Sequence, residues 1–310
     1  MSDGLGSMTL LAVALPVDSF NVVVLMATYV LVALGLHYSF GLLGIVNLAH
    51  GEFLLLGAYT VVAVQQATGS VVLGLVLAPV VAGLVGLVVE RVVLRGLHER
   101  VLDTLLATFG VSVVVRQGLQ VLFTANPQQV NDPIGGSVRL AGLNIPWWRA
   151  VVVASTIAAV VATALTIRRT SLGLRWRATV RNPELAETLG IVTTRSRAAL
   201  FGVGSGLAGL TGALLAPLNT LTPQFGTRFL VPAFLVVILG VPGSLGGLVV
   251  SGMVLGGALG IMQFQMSSIT AQMLVIVLAI VGIRFRDRLV GNWRGRTPRR
   301  QRARTADTHP

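Results

Sequence analysis

Residues 229–283 form a run of 55 positions without Asp, Glu or Arg, and the chain contains no Lys anywhere. Residues 19–51 (33 positions), 53–89 (37), 150–167 (18) and 198–227 (30) are equally free of these charges. A membrane-spanning helix needs about 20 mainly apolar residues, so the longest run holds two or three spans. Only helices and closed barrels satisfy their backbone polar groups in hydrocarbon. The runs are continuously apolar, whereas a barrel strand alternates between lipid-facing and lumen-facing residues. The expectation is an all-α polytopic membrane protein. Charged residues make up 11% of the chain, against about 25% in soluble domains, which argues against a water-soluble enzyme.

The expected spans are 20–36, 40–66, 70–90, 104–123, 149–167, 198–216 and two or three within 229–283, eight to ten transmembrane helices in all. The chain divides into a short external amino-terminal segment (1–19), read as a poorly ordered lead-in, a transmembrane domain (20–283) and a basic tail (284–310). Arginine placement sets orientation through the positive-inside rule. Seven arginines fall in 168–197 (Arg168, Arg169, Arg175, Arg177, Arg181, Arg195 and Arg197), and nine lie from Arg284 onward. With Arg91, Arg95 and Arg100 they mark the cytoplasmic side. Residues 1–18 and 124–148 belong outside, the latter ending at Trp147 and Trp148, where an interfacial aromatic belt is expected. An external amino end and a cytoplasmic carboxyl end require an odd count, and nine fits. The location expected is the inner membrane.

Composition excludes several chemistries. A P-loop needs its lysine, and Schiff-base chemistry needs one too. With no cysteine and four histidines, thiol nucleophiles and a histidine-rich metal centre are excluded or disfavoured. Gly204-Ser205-Gly206 resembles a serine-nucleophile turn, but the one histidine after it is His309 in the tail. Small-residue runs in spans serve close helix packing. Arg299-Arg300-Gln301-Arg302 has the composition of a nucleic-acid patch, yet directly after a span such a cluster attracts anionic lipid at about 1 kcal/mol per residue. No catalytic residue, bound metal, cofactor or nucleic-acid partner is assigned.

Two polar segments carry the information. The first is 38–53, where Glu52 is the sole acidic residue between Asp18 and Glu90, and Asn47 and His50 lie beside it. A carboxylate at mid-membrane costs roughly 2.5 kcal/mol or more, so it faces a partner or water. Gly41, Gly44 and Gly51 permit a kink or an unwound turn, the device with which transporters expose backbone to a pathway. Asn47, His50 and Glu52 are therefore candidates either for a translocation path or gate, or for a hydrogen-bond cluster that locks a bend. Gln65, Gln66, Gln117 and Gln120 are further polar groups that a path could use, and Glu52 with Arg116 could hold a zwitterion. Arg116 lies about seven residues, roughly 10 Å, from the outer end of its span and is expected to snorkel to the interface.

The second segment is 173–191, within the loop 168–197. Asn182 is placed to cap a short helix, Pro183 suits its first position and Glu184 its positive end. Gly190 stands where a left-handed terminator belongs. Leu185 and Leu189, four apart, share one face.

These segments resemble the membrane permease subunits of ATP-driven importers for hydrophobic amino acids and amides, the branched-chain amino-acid permeases. The resemblance rests on Asn47-x-x-His50-Gly51-Glu52 followed by Gly57-Ala58-Tyr59, and on the loop residues Arg177-Ala178, Asn182, Ala186 and Gly190-Ile191. The glycine-rich span (Gly202, Gly204, Gly206, Gly209 and Gly212) and residues 239–247 add to it, so that it covers roughly 20–285. The sequence departs from the family at Val241-Pro242-Gly243 and in its longer arginine tail. Within the family, residues 106–112, Arg116-Gln117, Ala125-Asn126-Pro127 and 201–209 look closest to the urea-importer branch.

The resemblance implies an ABC importer permease fold with a broken or re-entrant polar segment, importing urea (favoured), branched-chain amino acids or short amides. It implies Asn47, His50, Glu52, Tyr59 and Gln117 along the path or gate. It implies ATPase coupling through Arg177, Ala178, Asn182, Pro183, Glu184, Ala186, Glu187 and Gly190. Separate ATPase subunits would use the ATP, a second related permease or second copy would complete the pore, and an external binding protein would dock near 124–148. A stand-alone channel or secondary transporter is the alternative, and it has no need of the capped loop helix.

Overall fold

The computed structural model describes residues 3–97, 100–124, 126–140 and 143–294. Eleven helices appear among them. In chain order they are α1 (Asp3–Leu36), α2 (His50–Thr68), α3 (Val71–Val89), α4 (Val101–Phe123), α5 (Trp147–Arg169), α6 (Ser171–Arg181), α7 (Pro183–Thr188), α8 (Thr193–Leu215), α9 (Thr227–Leu239), α10 (Leu245–Met262) and α11 (Ser268–Arg294). The sole sheet among the described residues is a hairpin of β1 (Ser137–Leu140) and β2 (Leu143–Pro146) between α4 and α5. The protein is an all-α polytopic membrane protein.

Seven helices are long and apolar enough to cross a bilayer: 20–42, 71–94, 101–123, 147–169, 193–218, 245–262 and 268–285. Adding α2, whose first turn carries the polar segment, makes eight, and adding α9, which has 13 residues, makes the expected nine. At 1.5 Å per residue α9 is about 20 Å long, short of a bilayer's roughly 30 Å of hydrocarbon. Three boundaries differ from expectation: the span expected at 40–66 is helical only from His50, after a π-helical turn and an irregular stretch, and both chain ends differ. The helix α1 begins at Asp3, so the amino-terminal lead-in is helical from that residue. The last helix continues past 284 to Arg294, and residues 295–310 of the basic tail lie outside the described residues.

The core is built on α1 and α8, which cross antiparallel. Gly35 lies against Gly204 and Ala208, and the Thr211 hydroxyl donates to the Leu31 carbonyl at 3.4 Å. Glycines on α8 bring it close to α2 and α3: Gly209 meets Gly57 and Ala78, and Gly212 meets Leu54. Small residues at such contacts let backbones approach and gain dispersion, the main driving force for helix association in lipid. Against this centre the flanking helices follow one pattern twice. The helix α3 packs antiparallel along α8, while α10 packs antiparallel along α1 through Val22–Gly260, Met26–Gly256 and Val30–Gly252. Next, α2 and α4 attach to the first half as α9 and α11 attach to the second. Units α1–α4 and α8–α11 are thus inverted repeats, with α5–α7 between them, an arrangement common in transporters.

Each repeat contains a break. After α1 the chain passes through a π-helical turn (His37–Leu42) and an irregular stretch before α2. After α8 it passes through a 3₁₀ turn (Ala216–Leu218) and an irregular stretch before α9. The two restarts touch: a Cβ on Gly51 would sit 2.6 Å from the Gly226 carbonyl oxygen, so neither position has room for a side chain.

Candidate translocation path and coupling loop

The break before α2 is held by its own polar residues. Asn47 Oδ1 accepts from the Ala49 amide at 3.0 Å, which turns the chain into the helix. His50 Nε2 meets the Val32 carbonyl on α1 at 2.9 Å. On α4, Thr108 Oγ1 accepts from the Leu48 amide and donates to the Val46 carbonyl, both at 3.1 Å. An irregular backbone inside a bundle is tolerated only when its orphan groups find such partners.

Glu52 lies in the first turn of α2 and is 1% exposed. Its Oε1 accepts from Arg116 Nε at 3.0 Å and also from Arg116 Nη2, while Oε2 has no hydrogen-bond partner. Arg116 therefore does not snorkel, contrary to expectation: its side chain turns inward from α4 and neutralises the buried carboxylate. A buried carboxylate left without its partner is strongly destabilising, which ties the guanidinium to Glu52.

Of the five expected path residues, Asn47, His50 and Glu52 are brought together in one turn and are all buried. Tyr59 is also buried, two turns further along α2, with its ring 5.0 Å from Phe123. Gln117 points the other way, exposed on the outer face of α4 beside Arg116. Trp147 is exposed as a belt residue should be, but Trp148 is buried and donates from Nε1 to the Leu214 carbonyl at 2.9 Å. Ser205 is buried, its hydroxyl has no hydrogen-bond partner, and His50 is engaged with Val32, so no base stands at that serine.

At the arginine-rich end, the loop after α5 is two helices. Thr170 caps α6, its hydroxyl accepting from the Gly173 amide at 3.1 Å. Asn182 caps α7, with Oδ1 accepting from the Leu185 amide at 3.0 Å, and Pro183 opens the helix. Gly190 ends it with φ 79°, and the Ile191 amide reaches back to the Ala186 carbonyl at 3.0 Å. The Thr193 hydroxyl donates to Glu187 and fixes α7 to the start of α8. Ala186 is buried, whereas Arg177, Glu184, Leu185 and Leu189 are exposed.

The helix α6 was not legible as a separate element, and it makes the inward connection. Trp176 on α6 is buried and meets the Tyr38 ring edge-on at 6.1 Å. The Tyr38 hydroxyl donates to Thr163 Oγ1 on α5 at 3.3 Å. Tyr38 sits in the π-helical turn that leads to Asn47, so the loop and the polar break are joined by one aromatic contact. A cavity of about 440 Å³ lies beside it, lined by Arg175, Trp176, Leu189 and Arg195 among others.

Inverted repeats, a bonded break in mid-bundle and a capped helical loop at one end define a membrane transport subunit. The chain belongs to the family described as "Branched-chain amino acid transport system / permease component", which matches residues 19–283. It is 28% identical over 285 residues to the high-affinity branched-chain amino acid transport system permease protein LivH of Salmonella typhimurium (84% of this chain, 92% of the relative). Identity to LivH of Escherichia coli K12 is 29% over 286 residues, with the same coverage. BraD of Pseudomonas aeruginosa is 26% identical over 250 residues, covering 75% of this chain and 81% of BraD. No solved structure gives a significant match. The chain is a permease subunit of a transport system, not an enzyme.

Proposed function

We propose that this chain is one permease subunit of an ABC importer that carries branched-chain α-amino acids across the inner membrane. Its carboxyl end and the α6–α7 loop face the cytoplasm. Separate ATPase subunits bind the ATP, an external binding protein delivers the solute, and a second copy or a related permease completes the pore. The observation that carries this reading is the α6–α7 loop. It is capped at both ends and exposes Leu185 and Leu189, yet it is tied inward through Trp176 to Tyr38. Such a loop suits a motor that pushes from outside the chain. Residues Arg177, Ala178, Asn182, Pro183, Glu184, Ala186, Glu187 and Gly190 would shape the docking helix. Asn47, His50 and Glu52 would hold the break that this motion tilts. Tyr59 would pack behind them, and Gln117 would face away from them on the exposed side of α4.

The relatives' names favour branched-chain amino acids over urea as the solute. The test is uptake by the complete complex in vesicles: ATP-dependent accumulation of labelled leucine that excess urea leaves unchanged. Accumulation of urea but not leucine would overturn the choice of solute.

A further inference from the structure

Arg228, the second residue of α9, is the sole Asp, Glu or Arg between Arg197 and Arg284. It is exposed, and it makes no hydrogen bond or ion pair with any described residue. It opens onto a cavity of about 200 Å³ bounded by α1, α9, α10 and α11. Tyr29 on α1 lines the same cavity; it is 7% exposed, and its hydroxyl has no partner among the described residues. Gln272 on α11 adds a carboxamide, and the remaining wall is aliphatic, including Val231, Leu255 and Val275.

The cavity opens on the surface of the chain between the spanning helices: Val231 is 51% exposed, and Arg228 and Gln272 are exposed as well. Gln272 is four residues from the start of α11 and Leu255 seven from the end of α10, or about 6 and 10 Å below the arginine-poor end. An arginine at such depth faces a partner or a water-filled space. None of the residues lining the cavity is a carboxylate, and Glu52 is already taken by Arg116. No counter-charge for it stands among the described residues. A guanidinium is a two-pronged match for a carboxylate, and a mostly apolar pocket with few polar groups is the usual form of a small-ligand site. The cavity's volume of about 200 Å³ is well above the roughly 10–15 Å³ that one water needs, so it has room for a small solute.

We propose that this cavity is a substrate site in which Arg228 binds the carboxylate of a branched-chain α-amino acid. Tyr29 and Gln272 take its ammonium group, and Val231, Leu255 and Val275 surround its side chain. The naming of the substrate rests on the permease function proposed above.

The test is equilibrium binding of labelled L-leucine to the purified importer complex, without binding protein, in phosphatidylcholine nanodiscs. Binding should saturate. 4-Methylpentanoate, which keeps the carboxylate, should compete, and 3-methylbutylamine, which lacks it, should not. Arg228→Gln should weaken binding tenfold or more, and Arg228→Lys less. Val231→Trp, which fills the cavity and leaves the arginine, should also weaken it. Unchanged binding in Arg228→Gln, or equal competition by the amine, would overturn the site. So would an Arg228→Gln effect seen only with phosphatidylglycerol present, which would assign the arginine to a lipid phosphate. ATP-driven leucine uptake by the wild-type complex tests the permease reading separately. If uptake is absent but 4-methylpentanoate still binds through Arg228, the carboxylate site stands and the substrate assignment falls.

Discussion

The polar segment at the start of α2 and the α6–α7 loop are both short, bonded interruptions of an apolar bundle, and they spend their polar groups in opposite ways. Around α2, Asn47, His50 and Glu52 are buried, and their partners are the Ala49 amide, the Val32 carbonyl and the Arg116 guanidinium. In the loop, the caps are satisfied locally by Thr170, Asn182 and Gly190, while Leu185 and Leu189 remain exposed. One region finds its partners within the chain, Glu52 Oε2 excepted; the other leaves an apolar face uncovered. The difference separates a structural break that must be held from a surface that must be pushed.

Substitutions should divide along that line. The largest effect is expected from Arg116→Leu, which strands a buried carboxylate, a loss of about 3–5 kcal/mol for a broken buried pair. Folded protein in the membrane and leucine uptake should fall together, as read by detergent-extracted fluorescence chromatography and by transport. Adding Glu52→Gln to it should restore most of the folded protein. Next comes Leu185→Asp. An interface anchor is worth about 2 kcal/mol or more, so ATPase co-purification should weaken roughly 30-fold with folded protein unchanged. The smallest effect is expected from Asn182→Ala. Loss of the cap costs about 1 kcal/mol of local helix stability, which should lower coupled ATPase activity severalfold and leave the melting temperature in place. If Arg116→Leu spared folding while Leu185→Asp destroyed it, the comparison would fail.

Much of this was legible in the sequence because membranes simplify the code. Charge-free runs gave most of the spans, and the Asn182-Pro183-Glu184…Gly190 spacing gave α7 with both caps. The ion pair was not legible: Glu52 and Arg116 stand 64 positions apart, and periodicity says nothing about which helix faces which. The separate helix α6 was hidden because its arginines read as a topology signal. The inverted repeat was hidden because the second break, 216–226, lacks the Asn-His-Glu trio that marks the first. Arg228 did have a signal, the single charge that divides the run 198–227 from 229–283. Its significance emerged only when the fold placed it over a cavity beside Tyr29.

The central claim is that the α6–α7 loop is driven by a motor outside this chain, and one reconstitution tests it most directly. Purified permease should be placed in vesicles with the external binding protein and leucine, with and without its ATPase companions and ATP. Accumulation against a gradient only when the ATPases hydrolyse ATP is the predicted result. Uphill accumulation by the permease alone would contradict it.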